Sequence, residues 1–188
     1  MYNKIIIGID ESYTRTGISI VADGKLKSVS SIDFKGLKTK SQKRKALHDK
    51  LISTIDKIQL RASSILIIVE RIRTFSKNKN DKFNISTNYI KATGALIASI
   101  VDSASEYGIE VYSVDTRSWK AQVVGSSKGN NKEGNKMLTI RHVKRLGFDV
   151  SSVNKKGNIV YNDDASDSAC IALYGFIPEN RQKLKLEE

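Results

Sequence analysis

Four acidic side chains, Asp10, Glu70, Asp164 and Asp167, stand where a fold can bring them together. The run from Lys4 to Asp10, Lys-Ile-Ile-Ile-Gly-Ile-Asp, predicts a buried strand with a carboxylate at its C-terminal end. Ile65 to Glu70 repeats the arrangement, so two neighbouring strands would present Asp10 and Glu70 side by side. Asp164 and Asp167 precede the apolar pattern Ala169, Ala172, Leu173, Phe176, and their i,i+3 spacing puts both on one helix face. Taken singly, an acid at a strand end is a solvated turn residue, and Asp163-Asp164 is a helix N-cap. The agreement of three contexts is what points to a site.

Crowded carboxylates need compensation. Two of them about 5 Å apart repel by roughly 3 kcal/mol at an effective dielectric near 20. Two Mg²⁺ or Mn²⁺ ions would balance four negative charges, and oxygen donors without Cys or His suit those hard ions better than zinc. Such a pair of ions activates water and stabilises a leaving oxygen in phosphodiester cleavage. The chain as a whole, these acids included, is basic, with a formal net charge of +12, which fits a polyanionic substrate.

The elements that must position these acids alternate as in an α/β domain. Strands are predicted near Lys4 to Asp10, Thr16 to Val21 and Leu26 to Phe34, with Asp23-Gly24 as a hairpin signal between the last two. A helix carrying Leu47, Leu51, Ile55 and Ile58 on one stripe follows, then the strand ending at Glu70. A long helix is predicted from Ile85 to about Tyr107, closed by Gly108, then a strand from Ile109 to Val114. Helices from Lys136 to Arg145 and Asp164 to Tyr174 complete the pattern. An antiparallel meander followed by crossovers sets this apart from a doubly wound nucleotide fold.

With 188 residues the expectation is one domain over residues 1–178 and a polar tail over 179–188. Cys170 is the single cysteine and lies among Ala169, Ile171 and Ala172, which predicts a buried thiol and no disulfide. A reducing cytoplasm is the expected setting. No run approaches the roughly 18 apolar residues of a membrane span, and none reads as a signal peptide.

Gly8-Ile9-Asp10 with Thr16-Gly17, then Ile68-Val69-Glu70, then Asp164-Ala165-Ser166-Asp167-Ser168-Ala169, resembles the RuvC Holliday-junction resolvases of the RNase H-like superfamily, in order and spacing over most of the chain. The resemblance implies an RNase H-like mixed sheet with helices on both faces. It also implies a metal site of Asp10, Glu70, Asp164 and Asp167 that cuts DNA junctions within a symmetric dimer. Trp119-Lys120-Ala121-Gln122-Val123-Val124-Gly125 is similar to the family's lysine-bearing segment, so Lys120 and Lys136 carry over as phosphate-contacting or catalytic lysines, with Lys128 or Lys132 as substitutes for the latter. The chain departs from the family where Glu11-Ser12 replaces the usual Pro-Gly. It departs again where the family's aromatic wedge falls near Arg73, with Phe75 two residues on.

Basic residues crowd the loops from Lys35 to Lys45, Arg71 to Lys82 and Lys128 to Lys136. A charge run by itself is a solvated face. Beside an acidic cluster these loops are expected to bind DNA phosphates through Arg71, Arg73, Lys77, Lys79, Lys82, Lys128 and Lys132, with Phe75 either stacking on an unpaired base or wedging into a branch point, or else anchoring its loop on the domain. On the long helix Ile90, Gly94, Ile97 and Val101 form one stripe, and Thr93, Leu96 and Ile100 widen it. The expectation is that the first covers the sheet and that Thr93, Leu96 and Ile100 meet a second copy. Other readings are a nuclease for flaps, forks or hybrids, a non-catalytic binder of branched DNA, and a fragment of an actin-like kinase. That last fold needs a second domain and a glycine-rich adenosine motif absent here. Lys, Asn and Ile richness fits an AT-rich genome and a bacteriophage-encoded variant.

Overall fold

The structure is a computed structural model, and residues 1–71, 87–125, 132–153 and 156–184 are described. Three strands open the chain, β1 (Tyr2–Asp10), β2 (Arg15–Ala22) and β3 (Lys25–Asp33). They form an antiparallel meander, turned between β2 and β3 by Asp23 and Gly24 at φ 46° and 78°. Both residues adopt the left-handed conformation that a two-residue hairpin turn requires. Helix α1 (Lys40–Ile58) starts at a capping box in which Thr39 and Gln42 bond reciprocally, and it buries Leu47, Leu51, Ile55 and Ile58 as the stripe predicts.

Strand β4 (Ala62–Glu70) returns parallel to β1, and after helix α2 (Thr87–Ser105) strand β5 (Glu110–Val114) pairs parallel to β4. Helices α3 (Thr116–Val124) and α4 (Lys132–Arg145) follow. A small antiparallel pair, β6 (Ser151–Val153) and β7 (Ile159–Tyr161), leads to helix α5 (Asp163–Gly175). The main sheet runs β3-β2-β1-β4-β5-β8, the last strand, Gln182–Lys183, pairing antiparallel to β5. This is the mixed sheet the sequence predicts, meander first and crossovers after. Part of the segment expected as a polar tail thus joins the sheet edge, and Arg181 ties it to the end of α5 through the carbonyls of Gly175 and Phe176.

The two faces of the sheet carry separate cores. Ile5, Ile7, Ile9, Ile67 and Val69 pack with α1 and α2 on one face. Ile6 and Ile68 pack on the other with Trp119 of α3, Ile140 and Val143 of α4, and the Ala169–Ala172 run of α5. Helix α5 can lie close on the sheet because the facing residues are small. A Cβ at Gly8 would sit 2.6 Å from the Cβ of Ala172, and one at Gly175 would sit 2.7 Å from Ile68. No described helix is long and apolar enough to cross a membrane.

Helix α2 corrects the expected partner face. Thr93, Leu96 and Ile100 are 2%, 1% and 0% exposed, and Leu96 and Ile100 belong to the core shared with α1 and the sheet. They are inward-facing, because the helix crosses both the sheet and α1 and needs a wide apolar arc to cover both. Its outer side carries Lys91, Gly94, Ala95, Ala98 and Val101, all exposed or half-buried.

Candidate active site

Side-chain alternation along β1 and β4 decides which way the acids point. Ile9 and Val69 are register partners in the parallel pair and face the α1–α2 core, so Asp10 and Glu70, one residue on, face the opposite side beneath α5. The two strands end together, which sets the two carboxylates next to each other. On its other flank Asp10 is paired with Gly17 of β2.

Gly17 explains how the third acid arrives. A Cβ there would overlap the main-chain carbonyl of Asp164 and lie 3.0 Å from the nitrogen of Ala165, so only glycine lets the first turn of α5 rest on β2 beside Asp10. That turn is fixed from several directions. Asn162 caps it by accepting from Ala165 N–H at 3.1 Å, and its amide donates to Ser31 Oγ at 2.7 Å. Ser19 and Ser168 share a buried hydrogen bond of 2.7 Å, and Thr139 and Ser166 one of 3.3 Å. The cap is thus Asn162, which leaves Asp163 and Asp164 free of that duty and acidic at a helix N-terminus, where the macrodipole favours them.

The remaining polar partners come from α3 and α4. Trp119, fully buried, donates its indole N–H to Glu70 Oε1 at 3.1 Å. Its neighbour Lys120 lies with Nζ 3.5 Å from Asp167 Oδ2 and 4.8 Å from the centre of the Trp119 ring. Lys136 forms an ion pair with Asp163. Helix α3, read in the sequence only as a lysine-bearing segment, starts at Asp115, whose Oδ1 accepts from Arg117 N–H and Ser118 N–H, and ends at Gly125 with φ 76°.

Burial and mutual repulsion both disfavour charge on these acids. Asp10 is pushed well above the usual carboxylate range by burial first, then by Asp167, Glu70, Glu11 and Asp164. Burial, with Asp163 adding and Arg15 opposing, lifts Asp164 to about 6. Asp167 is raised by burial and partly restored by Lys120. Glu11, which the sequence marks only as a departure from Pro-Gly, is a fifth member. It is 7% exposed, raised by burial and then by Glu70, and its Oε2 has no hydrogen-bond partner. Asp167 Oδ1 is buried and unpartnered as well.

Among the described residues no three His, Cys, Asp or Glu side chains converge tightly enough to make a finished metal cage. Carboxylates that repel one another, with Glu70 drawn to Trp119 and Asp167 to Lys120, stand wider than a coordination shell. The donor set nonetheless fits a hard divalent cation. It is all oxygen, it is short of hydrogen bonds at two buried atoms, and its charge is under-compensated.

Of the residues expected to bind DNA, Arg71 is exposed and donates to Gln182 Oε1 at 2.9 Å, beside the end of β4. Arg73, Phe75, Lys77, Lys79, Lys82 and Lys128 lie outside the described residues, and Lys132 opens α4. Lys136 falls one turn inside α4 rather than at its start. His48 bonds Ser103 Oγ at 2.9 Å between α1 and α2, a helix-packing role.

No protein-family model matches the chain, and comparison with curated proteins finds no match. Solved structures do match. RuvC of T. thermophilus in complex with a Holliday-junction substrate superposes with a TM-score of 0.67 at 17% identity, covering 96% of this chain and 99% of that one. A second structure of Thermus thermophilus RuvC gives 0.62 at 17% identity with the same coverage. The yeast mitochondrial Holliday junction resolvase Ydc2 gives 0.51 at 14% identity, covering 89% of this chain and 75% of that one. With its meander, parallel crossovers and acids at the strand ends beneath α5, the chain has the RNase H-like fold of the RuvC resolvases.

Proposed function

We propose that the chain is a structure-selective DNA endonuclease that hydrolyses phosphodiester bonds in Holliday junctions or other branched DNA, using two Mg²⁺ or Mn²⁺ ions. The observation that carries this reading is the placement of Asp10 at the centre of an under-neutralised acid cluster, at one end of a RuvC-type sheet. Asp10, Glu70, Asp164 and Asp167 would hold the ions, Asp10 being the residue that interacts with all the others. When bound, such ions supply an activated water and charge stabilisation at the leaving oxygen. The protein's own contribution is positional. Trp119 fixes one oxygen of Glu70, and Gly17 seats Asp164. Lys120 stands at Asp167 with two further ammonium donors available for a phosphate oxygen. Lys136 serves the same purpose from the outer side, through its pair with Asp163.

Resolution of a four-way junction requires two nicks related by a two-fold axis, which a homodimer supplies. We assign the partner surface to the outer side of α2, around Gly94, Ala95, Ala98 and Val101, and the setting to a reducing cytoplasm, in keeping with the lone buried thiol of Cys170. The decisive experiment compares a four-way junction, a fork, a flap, a DNA–RNA hybrid and linear duplex with Mg²⁺ or Mn²⁺. Asp10→Asn and Glu70→Gln should each lose cleavage by about three orders of magnitude while junction binding persists. Full activity in either variant overturns the metal-site assignment. Products from flaps or hybrids alone would move the substrate to that class.

A further inference from the structure

One depression in the surface opens beside the acids, with Asp164 in its lining, and extends away from them. It has a volume of about 730 Å³ and runs from Asp163 and Asp164 at the start of α5 to the turn between β3 and α1. Four cations line it: Lys136 of α4, which is paired with Asp163, and three more from separate elements, Arg15 at the start of β2, Lys35 in the turn and Lys43 on α1. Neither Arg15 nor Lys35 makes an ion pair among the described residues. Lys43 is held in place, its Nζ donating to the Tyr13 carbonyl at 2.9 Å and lying 3.7 Å from the centre of the Tyr13 ring. An ammonium fixed by one of its three donors keeps the others for a ligand.

We propose that this cleft is the track of one DNA strand leaving the cleavage point, with Arg15, Lys35 and Lys43 each holding a backbone phosphate. The proposal rests on the nuclease reading and adds to it a strand path and three residues. Three arguments favour a strand over a small ligand or a solvated face. The three cations other than Lys136 come from three separate elements, β2, the turn and α1, instead of from one charged run. The cleft is open at its side, as a through-running chain requires, and too small for a duplex. Of its three carboxylates, Asp163 is paired with Lys136, Asp164 is a proposed metal ligand whose charge a bound cation would offset, and Asp33 accepts from the Lys35 backbone N–H, so repulsion toward phosphate would be reduced along the cleft. Contacts of this kind position a strand without reading its sequence.

The test uses the full chain and a labelled four-way junction, with binding measured without cleavage across a salt series. A triple variant, Arg15→Gln, Lys35→Gln and Lys43→Gln, should flatten the slope of log affinity against log salt by about 2 to 3, since each phosphate contact contributes roughly 0.7 to 0.9. A control triple, Lys25→Gln, Lys57→Gln and Arg61→Gln, removes equal charge at the opposite end of the sheet and should change the slope less. Neutral methylphosphonates next to the cleavage point should weaken wild-type binding and leave the cleft variant indifferent. Equal slopes for the two triples, or equal methylphosphonate sensitivity, overturn the proposal, as does competition by a mononucleotide at the same phosphate concentration as an oligonucleotide. Circular dichroism checks folding, and the single Lys35→Gln change at an exposed turn repeats the comparison if the triple is unstable. Loss of cleavage in Asp10→Asn with an unaltered slope in the cleft triple would sink the strand path alone. A flattened slope with no cleavage of any substrate by wild type would sink the nuclease reading alone.

Discussion

Replacing Gly17 by alanine tests whether the acid site is set by how closely a helix can approach a strand. The new methyl group would overlap the carbonyl of Asp164 and crowd Ala165 N, both main-chain atoms of the first turn of α5. Main-chain atoms cannot rotate aside, so the turn must shift by about 1 Å, an overpacking strain of about 1–3 kcal/mol. At this chain length that lowers Tm by roughly 2–12 °C. Asp164 and Asp167 ride on the moved turn while Asp10 and Glu70 stay on the sheet, so the acids lose their mutual register. A misplacement of about 1 Å at a catalytic centre costs on the order of 100-fold in rate. The variant should therefore melt cooperatively, bind a four-way junction with near wild-type affinity, and cleave it about 100-fold more slowly under single-turnover conditions with Mg²⁺. Wild-type cleavage together with an unchanged Tm would refute the argument. A large loss of Tm with unchanged cleavage would show that the acids do not depend on that contact.

Leu96→Ala should cost about 2–5 kcal/mol and lower the denaturant midpoint, because the side chain lies in the core; Ala98→Glu, on the outer side of α2, should leave stability nearly intact and shift the light-scattering mass from dimer to monomer. In chelator the pH dependence of stability follows from Asp10, Glu11 and Asp164, whose folded-state affinity for protons exceeds the unfolded one. The folded state then binds more protons, so Tm should rise as pH falls from about 7 toward 5, and saturating Mg²⁺ should flatten that trend; a Tm that falls over this interval refutes the crowding. Cys170 is buried with its thiol pushed up by burial, so a thiol reagent should label it only at the rate of global opening and completely in denaturant.

The acids were legible because each follows an apolar β-branched run or opens an amphipathic helix, patterns that depend on residues close in sequence. The glycines at 8 and 17 were legible as parts of a motif, yet their reason, the approach of α5, depends on residues about 150 positions away. Helix α3 carried one buried aromatic in nine residues, too short for a periodicity, and its clearest sign was the Asp115 cap. The three-residue strands β6 and β7 and the two-residue β8 hold too few alternations to register. Leu96 and Ile100 read from sequence as partner-facing and lie in the core, because a helix apolar over most of its circumference gives no angular signal. Glu11 escapes the sequence reading because an acid directly after a strand reads as a solvated turn residue, whereas in the structure it is buried.

Trp119 is the chain's single tryptophan, and its indole N–H is bound to a carboxylate of the acid cluster. The protein therefore carries a native spectroscopic probe within hydrogen-bonding distance of the group that would ligate the cation. Indole emission responds to nearby charge and to the strength of its N–H bond, so titrating a diamagnetic ion should move the emission maximum or its intensity along the binding isotherm. Paramagnetic Mn²⁺ at the same location should quench it more strongly. Occupancy can thus be followed in unlabelled protein, in real time, and separately from any cutting of DNA.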